Sequence, residues 1–381
     1  MTSRERMLTA YKGGRPDRVP VSPELWDAAA LDVIGRPFHK VVGPYAEEPF
    51  WRMLLRVHDY YGTDAWVCAA PDSPAKKEGR IQETHRFLDD ETIESEICYK
   101  TTQGDLHEVT RTTRTYAGWT MEHPVKDFAV DMPKYEECYF SDPWKYDVTE
   151  IETALEETGE RGLVTVWLGS LFLSVLGSAI EGGMIQALMD VTEHPEYSSR
   201  LHDRYLKHVA EITRMVLTRT KAEAVFIDSG YSQVPVVSPA VFREWEVPVL
   251  ETVSNVAHER GIPLHLHVHG KVFPILEDII AGGADIICGL FSPPTGDVTD
   301  LSELRRACRG RLALKGNIDP FGALLTGDPR AVEREVRECL EEAGPEGGFI
   351  LGTQDSTVSG TPSENLFAFV KAGRRHGTYS C

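Results

Sequence analysis

The chain has 381 residues, 41% hydrophobic and 26% charged, with 40 basic against 59 acidic side chains and a formal net charge of −19. That apolar mass suffices for a sizeable core and excludes disorder as the default, while the acidic surface repels phosphate backbones and anionic lipid and so excludes nucleic acid and membranes as partners. Seven cysteines, odd in number and without a CxxC spacing, suit free thiols better than a disulfide framework, and no run reaches about 18 apolar residues, so a cytoplasmic protein is expected.

In chain order, a polar N-terminal stretch, "MTSRERMLTAYKGGRPDR", has a helical pattern. Eight short β-rich runs follow: "VPVSPEL" near 19, "AWVCAA" at 65, "LVTVWLGS" at 163, "AVFIDS" at 224, "PLHLHV" at 263, "ADIICGL" at 284, "LALKGN" at 312 and "GFILGT" at 348. Amphipathic segments separate the later runs. In "SPAVFREWEVPVLETVSNVAHERG", Ser238 caps, Pro239 suits the first turn and Gly261 stops the helix. Asp328, Pro329 and Gly344 frame a second helix in the same way. Strand and helix alternating eight times predict a parallel α/β fold, a closed (β/α)8 TIM barrel forming one domain over 1–381 with an N-terminal helical segment. Residues 80 to about 135 alternate polar and apolar instead and predict a β-rich insertion after the second strand. The tail "RRHGTYSC" is expected to fray.

Barrel chemistry gathers where the strands end, at the C-terminal mouth. Those ends supply Glu24, Trp26, Asp72, Ser170, Asp228, Tyr231, His267, His269, Ser292, Asn317, Asp319 and Asp355. In "PLHLHVHG" the residues His265, His267 and His269 alternate, so a strand points all three to one face. His267 and His269 then stand about 7 Å apart at Cβ, close enough to meet one ion, and Asp355 can complete a His2Asp set with an open position. The same histidines also suit substrate binding or a packed core, and His265, deeper along the strand, reads as a satisfied interior residue. Asp228, an acid after the apolar "VFI", points into the mouth, whereas Asp72 lies between prolines and equally makes a turn. Trp26, Trp66, Trp167 and Phe291 are candidate pocket walls, and Asn317 leaves its strand beside them.

Several strings together resemble the uroporphyrinogen decarboxylase superfamily, which includes cobalamin-dependent methyltransferases: "SRERMLTAYKGGRPDRVPV", "IEGGM", "FIDSGYSQVPVVSPAVFREWEVP", "HVHG", "LKGNIDP" and "GFILGTQDSTVSGTPSENLFAFVKA". The resemblance implies a barrel over nearly the whole chain. Where the decarboxylases carry an arginine-rich loop after the first strand this chain reads "PELWDAAA", Ser178 stands at their tyrosine, and Asp355 at their last-strand histidine. Asp72 is one residue out of register with their essential aspartate. The methyltransferases' zinc site, His-x-Cys with a later Cys, falls on His267, His269 and Asp355.

What this resemblance implies is a zinc-dependent, demethylase-type methyltransferase that moves a methyl group from a small O-methyl substrate to cobalamin on a separate corrinoid protein. His267, His269 and Asp355 would hold the metal, and Asp228 or Glu24 would orient substrate or supply a proton. Trp26, Asp72, Tyr231, Phe291 and Asn317 would line the substrate, and the assembly would be a monomer or homodimer. Decarboxylation of a small carboxylated substrate and metal-dependent hydrolysis at the His-x-His plus Asp site are the alternatives.

Overall fold

The structure, a computed structural model, describes residues 1–26, 33–36, 40–41, 45–90, 92–113 and 118–379. Its strands in chain order are β1 (Ala65–Ala69), β2 (Ile81–Phe87), β3 (Thr92–Tyr99), β4 (Leu106–Thr113), β5 (Trp119–Glu122), β6 (Gly162–Ser170), β7 (Val225–Asp228), β8 (Leu264–His267), β9 (Ile286–Cys288), β10 (Ala313–Ile318) and β11 (Phe349–Thr353). Seven of them form one parallel sheet in the order β1-β6-β7-β8-β9-β10-β11, and β2 to β5 form a separate antiparallel meander. Residues 20–22 lie between the two edges of the parallel sheet. Leu351 N donates to Pro20 O at 2.9 Å, Ser22 N to Leu351 O at 2.8 Å, and Asp64 N to Val21 O at 2.8 Å. The first of the eight expected strands is therefore a single bridge between Val21 and Leu351. Pro20 and Pro23 have no N–H to give, so a longer ladder cannot form there.

Alternation along the strands sorts their side chains into two layers. Trp66, Cys68, Leu163, Phe226, Cys288 and Ile350 turn inward, where Met7, Ala10 and Tyr11 from the helix Ser3–Tyr11 join them as a floor. Val67, Val164, Val166, Ile227, Leu266 and Leu351 turn outward into the larger core under the helices. Burying both faces explains why these strands read as continuous apolar runs.

Three expectations need correction. The helix expected over 238–261 is two, Pro239–Trp245 and Val247–His258, because Pro248 cannot donate back across the junction. Ser238 does cap the first, accepting from Val241 N at 3.3 Å. The insertion is strand only as far as Glu122; the helix Phe128–Tyr139 follows, with Asp127 accepting from Ala129 N and Val130 N. Its Cys138 packs with Tyr99 and Leu106 of the meander. The tail does not fray where it is described: Ser363–His376 is helical, Thr378 pairs with Arg18, and Arg15 lies 4.5 Å above the Tyr379 ring. Among the described residues no helix is long and apolar enough to cross a membrane, and Cys68, Cys98, Cys138, Cys288, Cys308 and Cys339 are free.

Candidate functional site

Register brings the chemistry together. Asp228 is level with His267 across β7 and β8, and His267 is level with Cys288 across β8 and β9, so three adjacent strands put three polar side chains in one inward-facing layer. His269 follows β8, its backbone N donating to Ser229 Oγ at 3.1 Å, its ring centroid 4.5 Å from that of His267. From the closing segment comes Glu24, whose backbone N donates to Thr353 Oγ1 at 3.0 Å. Above this layer a cavity of about 210 Å³ is walled by Trp26, Trp66, Trp167 and Phe226 and carries Glu24, Asp228, His267, His269 and Asp355 at its polar end.

Two sets of donor atoms there lie within 4.8 Å of one another: Asp228, His267 and His269, and deeper, Glu24, His267 and Cys288. Electrostatics separates them. Glu24 Oε1 is already paired with the wholly buried Lys315 Nζ at 2.7 Å, and an ion beside that ammonium would be repelled. Burial, with the Glu24 charge, also holds the Cys288 thiol protonated, while its sulfur lies 2.9 Å from His267 Nδ1. Among the described residues no such cation faces the outer set. Burial alone would raise the Asp228 carboxyl, but the hydrogen bond from His269, the charges of both histidines and the Gly230 N–H reverse this and keep it ionised. Burial likewise opposes a charge on His269; Asp228 Oδ1 at 3.3 Å, with Asp355 and Glu24 further off, overcomes it and raises its pKa. The outer set thus brings one carboxylate to two imidazoles without a competing ammonium, and two imidazoles with one carboxylate are ordinary zinc donors.

Asp355, expected as the third metal donor, lines the same cavity but belongs to neither close set. Burial, then the Glu24 charge, raises its pKa against the opposing effect of His267. Glu24 and Trp26 are in the cavity wall as expected; Trp26 packs on Trp66 at 5.7 Å. Phe291 stands behind His269, ring centroids 6.1 Å apart. The remaining expected substrate residues are not in this wall. Asp72 is exposed and pairs its backbone with Asp147, Tyr231 is 55% exposed, and Asn317 directs its side chain to within 4.0 Å of Cys339 Sγ on the helix Pro329–Ala343. Residues 27–30 of the "PELWDAAA" loop lie outside the described residues. His265 is interior as expected but only half satisfied: its Nδ1 lies 2.9 Å from Tyr11 Oη, while its buried Nε2 has no partner among the described residues.

Sequence reasoning passed over Lys315, Cys288 and Gln354. A lysine inside the apolar run "LALKGN" was a usable signal, since a charge in a buried strand needs a partner. Cys288 and Gln354 carry none: their importance comes from neighbours far off in the chain. The Gln354 amide joins three strand ends, donating to Ser292 Oγ at 2.7 Å and Asn317 O at 3.1 Å.

Comparison with known proteins agrees with this architecture. The chain is 28% identical over 187 residues to uroporphyrinogen decarboxylase of Syntrophotalea carbinolica, covering 48% of this chain and 49% of that one. It is 28% identical over 151 residues to methylated-thiol–coenzyme M methyltransferase of Methanosarcina mazei, covering 40% and 37%. Uroporphyrinogen decarboxylase of Nitrosomonas europaea matches at 35% over 179 residues, covering 44% and 47%. The chain thus spans about half or less of the length of these curated relatives. In three dimensions it superposes on a methyltransferase from Methanosarcina mazei with a TM-score of 0.64 and 18% identity, covering 98% of this chain and 99% of that one, which shows a shared fold. The family model described as uroporphyrinogen decarboxylase (URO-D) matches residues 120–376, the greater part of the chain, and the protein belongs to that family.

Proposed function

We propose that the chain is a methyltransferase of this family, one that takes a methyl group from a small O-methyl substrate and delivers it to the corrinoid of a separate protein. The observation that carries the reading is the set Asp228, His267 and His269, within 4.8 Å of one another at the polar end of a cavity walled by three tryptophans. These three residues would hold a zinc ion, which as a Lewis acid would polarise the substrate oxygen. A methyltransferase among the relatives supports the reading.

The chain's own residues supply the rest. Trp26, Trp66, Trp167 and Phe226 exclude water and hold an apolar substrate body. Asp355, at the polar end of the cavity with its pKa raised by burial and then by the Glu24 charge, would give a proton to the oxygen that loses the methyl group. Glu24, fixed by Lys315 and Thr353, keeps the wall beside it in place. A decarboxylase reading has the family description behind it, but the cavity sets the Asp228 carboxylate against an incoming polycarboxylate, and among the described residues no arginine lines it.

The test combines metal analysis of the purified protein with methyl transfer from small O-methyl compounds to chemically reduced cobalamin. The reading requires bound zinc and methylation of the cobalamin. Carbon dioxide release from a carboxylated substrate in the presence of chelator would replace it with decarboxylation, and ester or amide hydrolysis without any corrinoid would replace it with a hydrolase.

A further inference from the structure

Trp167 is shared between two cavities. Behind it, outside the barrel, is a space of about 390 Å³ bounded by the ends of β1 and β6, the meander, the helix Phe128–Tyr139 and the long helix Pro195–Arg219. Its aromatic lining comprises Tyr99, Tyr135, Tyr139, Tyr146, Tyr205 and Trp167. That volume falls in the range of small-molecule sites and far exceeds the voids left by ordinary packing.

The chemistry of the wall is selective. In a chain where a quarter of the residues are charged, no Asp, Glu, Lys or Arg among the described residues lines this space. Its single histidine, His208, is pushed down to about 4 by burial and then by Arg204, so it is neutral at physiological pH. An ionic ligand would find no charged side chain in this wall to pair with directly among the described residues. Most of the polar tips are already committed: Tyr99 donates to Glu108, Tyr205 to Ser170 O at 2.5 Å, and Tyr146 lies 3.4 Å from His208 Nε2. Tyr135 is the exception. Its ring packs 5.5 Å from Tyr99 and 5.8 Å from Tyr139, yet its phenol has no hydrogen-bond partner among the described residues. The Trp167 indole is pinned by its own Nε1–H to Gly169 O at 2.7 Å, which keeps the shared wall rigid.

We propose that this second cavity is a binding site for a neutral, planar aromatic molecule of one or two rings, held between the Tyr135, Tyr139 and Trp167 faces with the Tyr135 phenol bonding its polar substituent. Aromatic faces favour another ring by stacking, and the half-buried Tyr135 phenol, open to the cavity, favours one that brings a hydroxyl or carbonyl. Nothing in this depends on the reaction at His267, so the site stands or falls separately from the proposed function.

The experiment is calorimetric titration of the full chain with 2-naphthol, with naphthalene-2-sulfonate as the charged counterpart. Wild type should bind 2-naphthol with a dissociation constant below about 1 mM and the sulfonate about ten-fold more weakly. Val209→Phe, which fills the cavity from the long helix, should lower 2-naphthol affinity about ten-fold or more while the protein keeps its thermal melt. Tyr135→Phe, which keeps the ring and is the milder change, should weaken 2-naphthol several-fold and leave naphthalene binding unchanged. Unaltered 2-naphthol affinity in folded Val209→Phe, or equal affinity for the sulfonate in wild type, would overturn the proposal.

Discussion

Lys315 Nζ lies 2.7 Å from Glu24 Oε1 and 4.4 Å from the centroid of the Trp66 ring, with the lysine side chain wholly buried and the glutamate 4% exposed. The two residues are far apart in the chain, one on β10 and one on the segment that closes the barrel, so the pair locks the closing segment against the wall. Desolvating both ions is costly, and the pair is tolerable only while both partners are present. Lys315→Met therefore should cost about 3–5 kcal/mol in denaturant unfolding, because it strands a carboxylate under the Trp66 ring. Adding Glu24→Gln to that variant should recover part of the loss. A loss below about 1 kcal/mol in the single variant would show that water or another group already serves Glu24.

The outer donor set makes a claim about which carboxylate matters. Asp228→Asn or His269→Ala should weaken zinc binding by more than about 100-fold, beyond the 10–100-fold typical of partners that only support a ligand. Asp355→Asn should change it by about ten-fold or less, since Asp355 lies outside the close set. Competition with a fluorescent chelator reads all three. Equal losses at Asp228 and Asp355 would restore the ligand set expected from the sequence.

The contrast between those two acids shows what the sequence could and could not convey. Alternation in "PLHLHVHG" put His265 and His267 on the inner face of β8, because period two is a local property of a strand, while His269 lies beyond the strand's end. Which acid meets those histidines is set by register between strands, and that depends on turns and packing over the whole barrel. Asp228 is level with His267 on the adjacent strand, while Asp355 follows β11, three strands away in the sheet order. The same division holds for the fold. Strand and helix alternation made the parallel α/β sheet legible, and the prolines that limit its first strand to one bridge were in the sequence too, but the packing that turns Asn317 towards Cys339 acts through neighbours in space.

Glu246 offers a pH test. Its carboxylate is fully buried at the start of the helix Phe172–Ala179, accepting from Phe172 N at 2.8 Å, Leu173 N at 3.0 Å and Ser232 Oγ at 2.5 Å. Burial pushes its pKa up to about 7 from an ordinary 4.5, against the opposing effect of those hydrogen bonds. A folded-state value above the unfolded one means that the native state binds the extra proton. Its stabilising contribution is complete below the unfolded value and is lost as pH rises through about 7. The loss is on the order of 3 kcal/mol. Unfolding measured from pH 5 to 8 should show this decline, and Glu246→Gln should flatten it while lowering stability at pH 5 through the lost acceptor. An unchanged slope in Glu246→Gln would assign the pH dependence to another group.

Tyr11 and His265 supply the complementary test, of a residue pair that the alternating histidine motif draws attention to but that the site does not use. The helix Ser3–Tyr11 drives its last residue into the barrel floor, where Tyr11 Oη meets His265 Nδ1 at 2.9 Å and the two rings cross edge to face at 5.4 Å. His265 Nε2 has no partner among the described residues, and burial, reinforced by the Lys315 charge, keeps the ring neutral. Tyr11→Phe leaves a second ring nitrogen unsatisfied without opening a cavity, so it should cost about 1–3 kcal/mol in stability. Because His265 belongs to neither donor set, zinc affinity should stay within about two-fold of wild type. A large drop in zinc affinity with intact stability would move His265 from the floor of the barrel into the metal site.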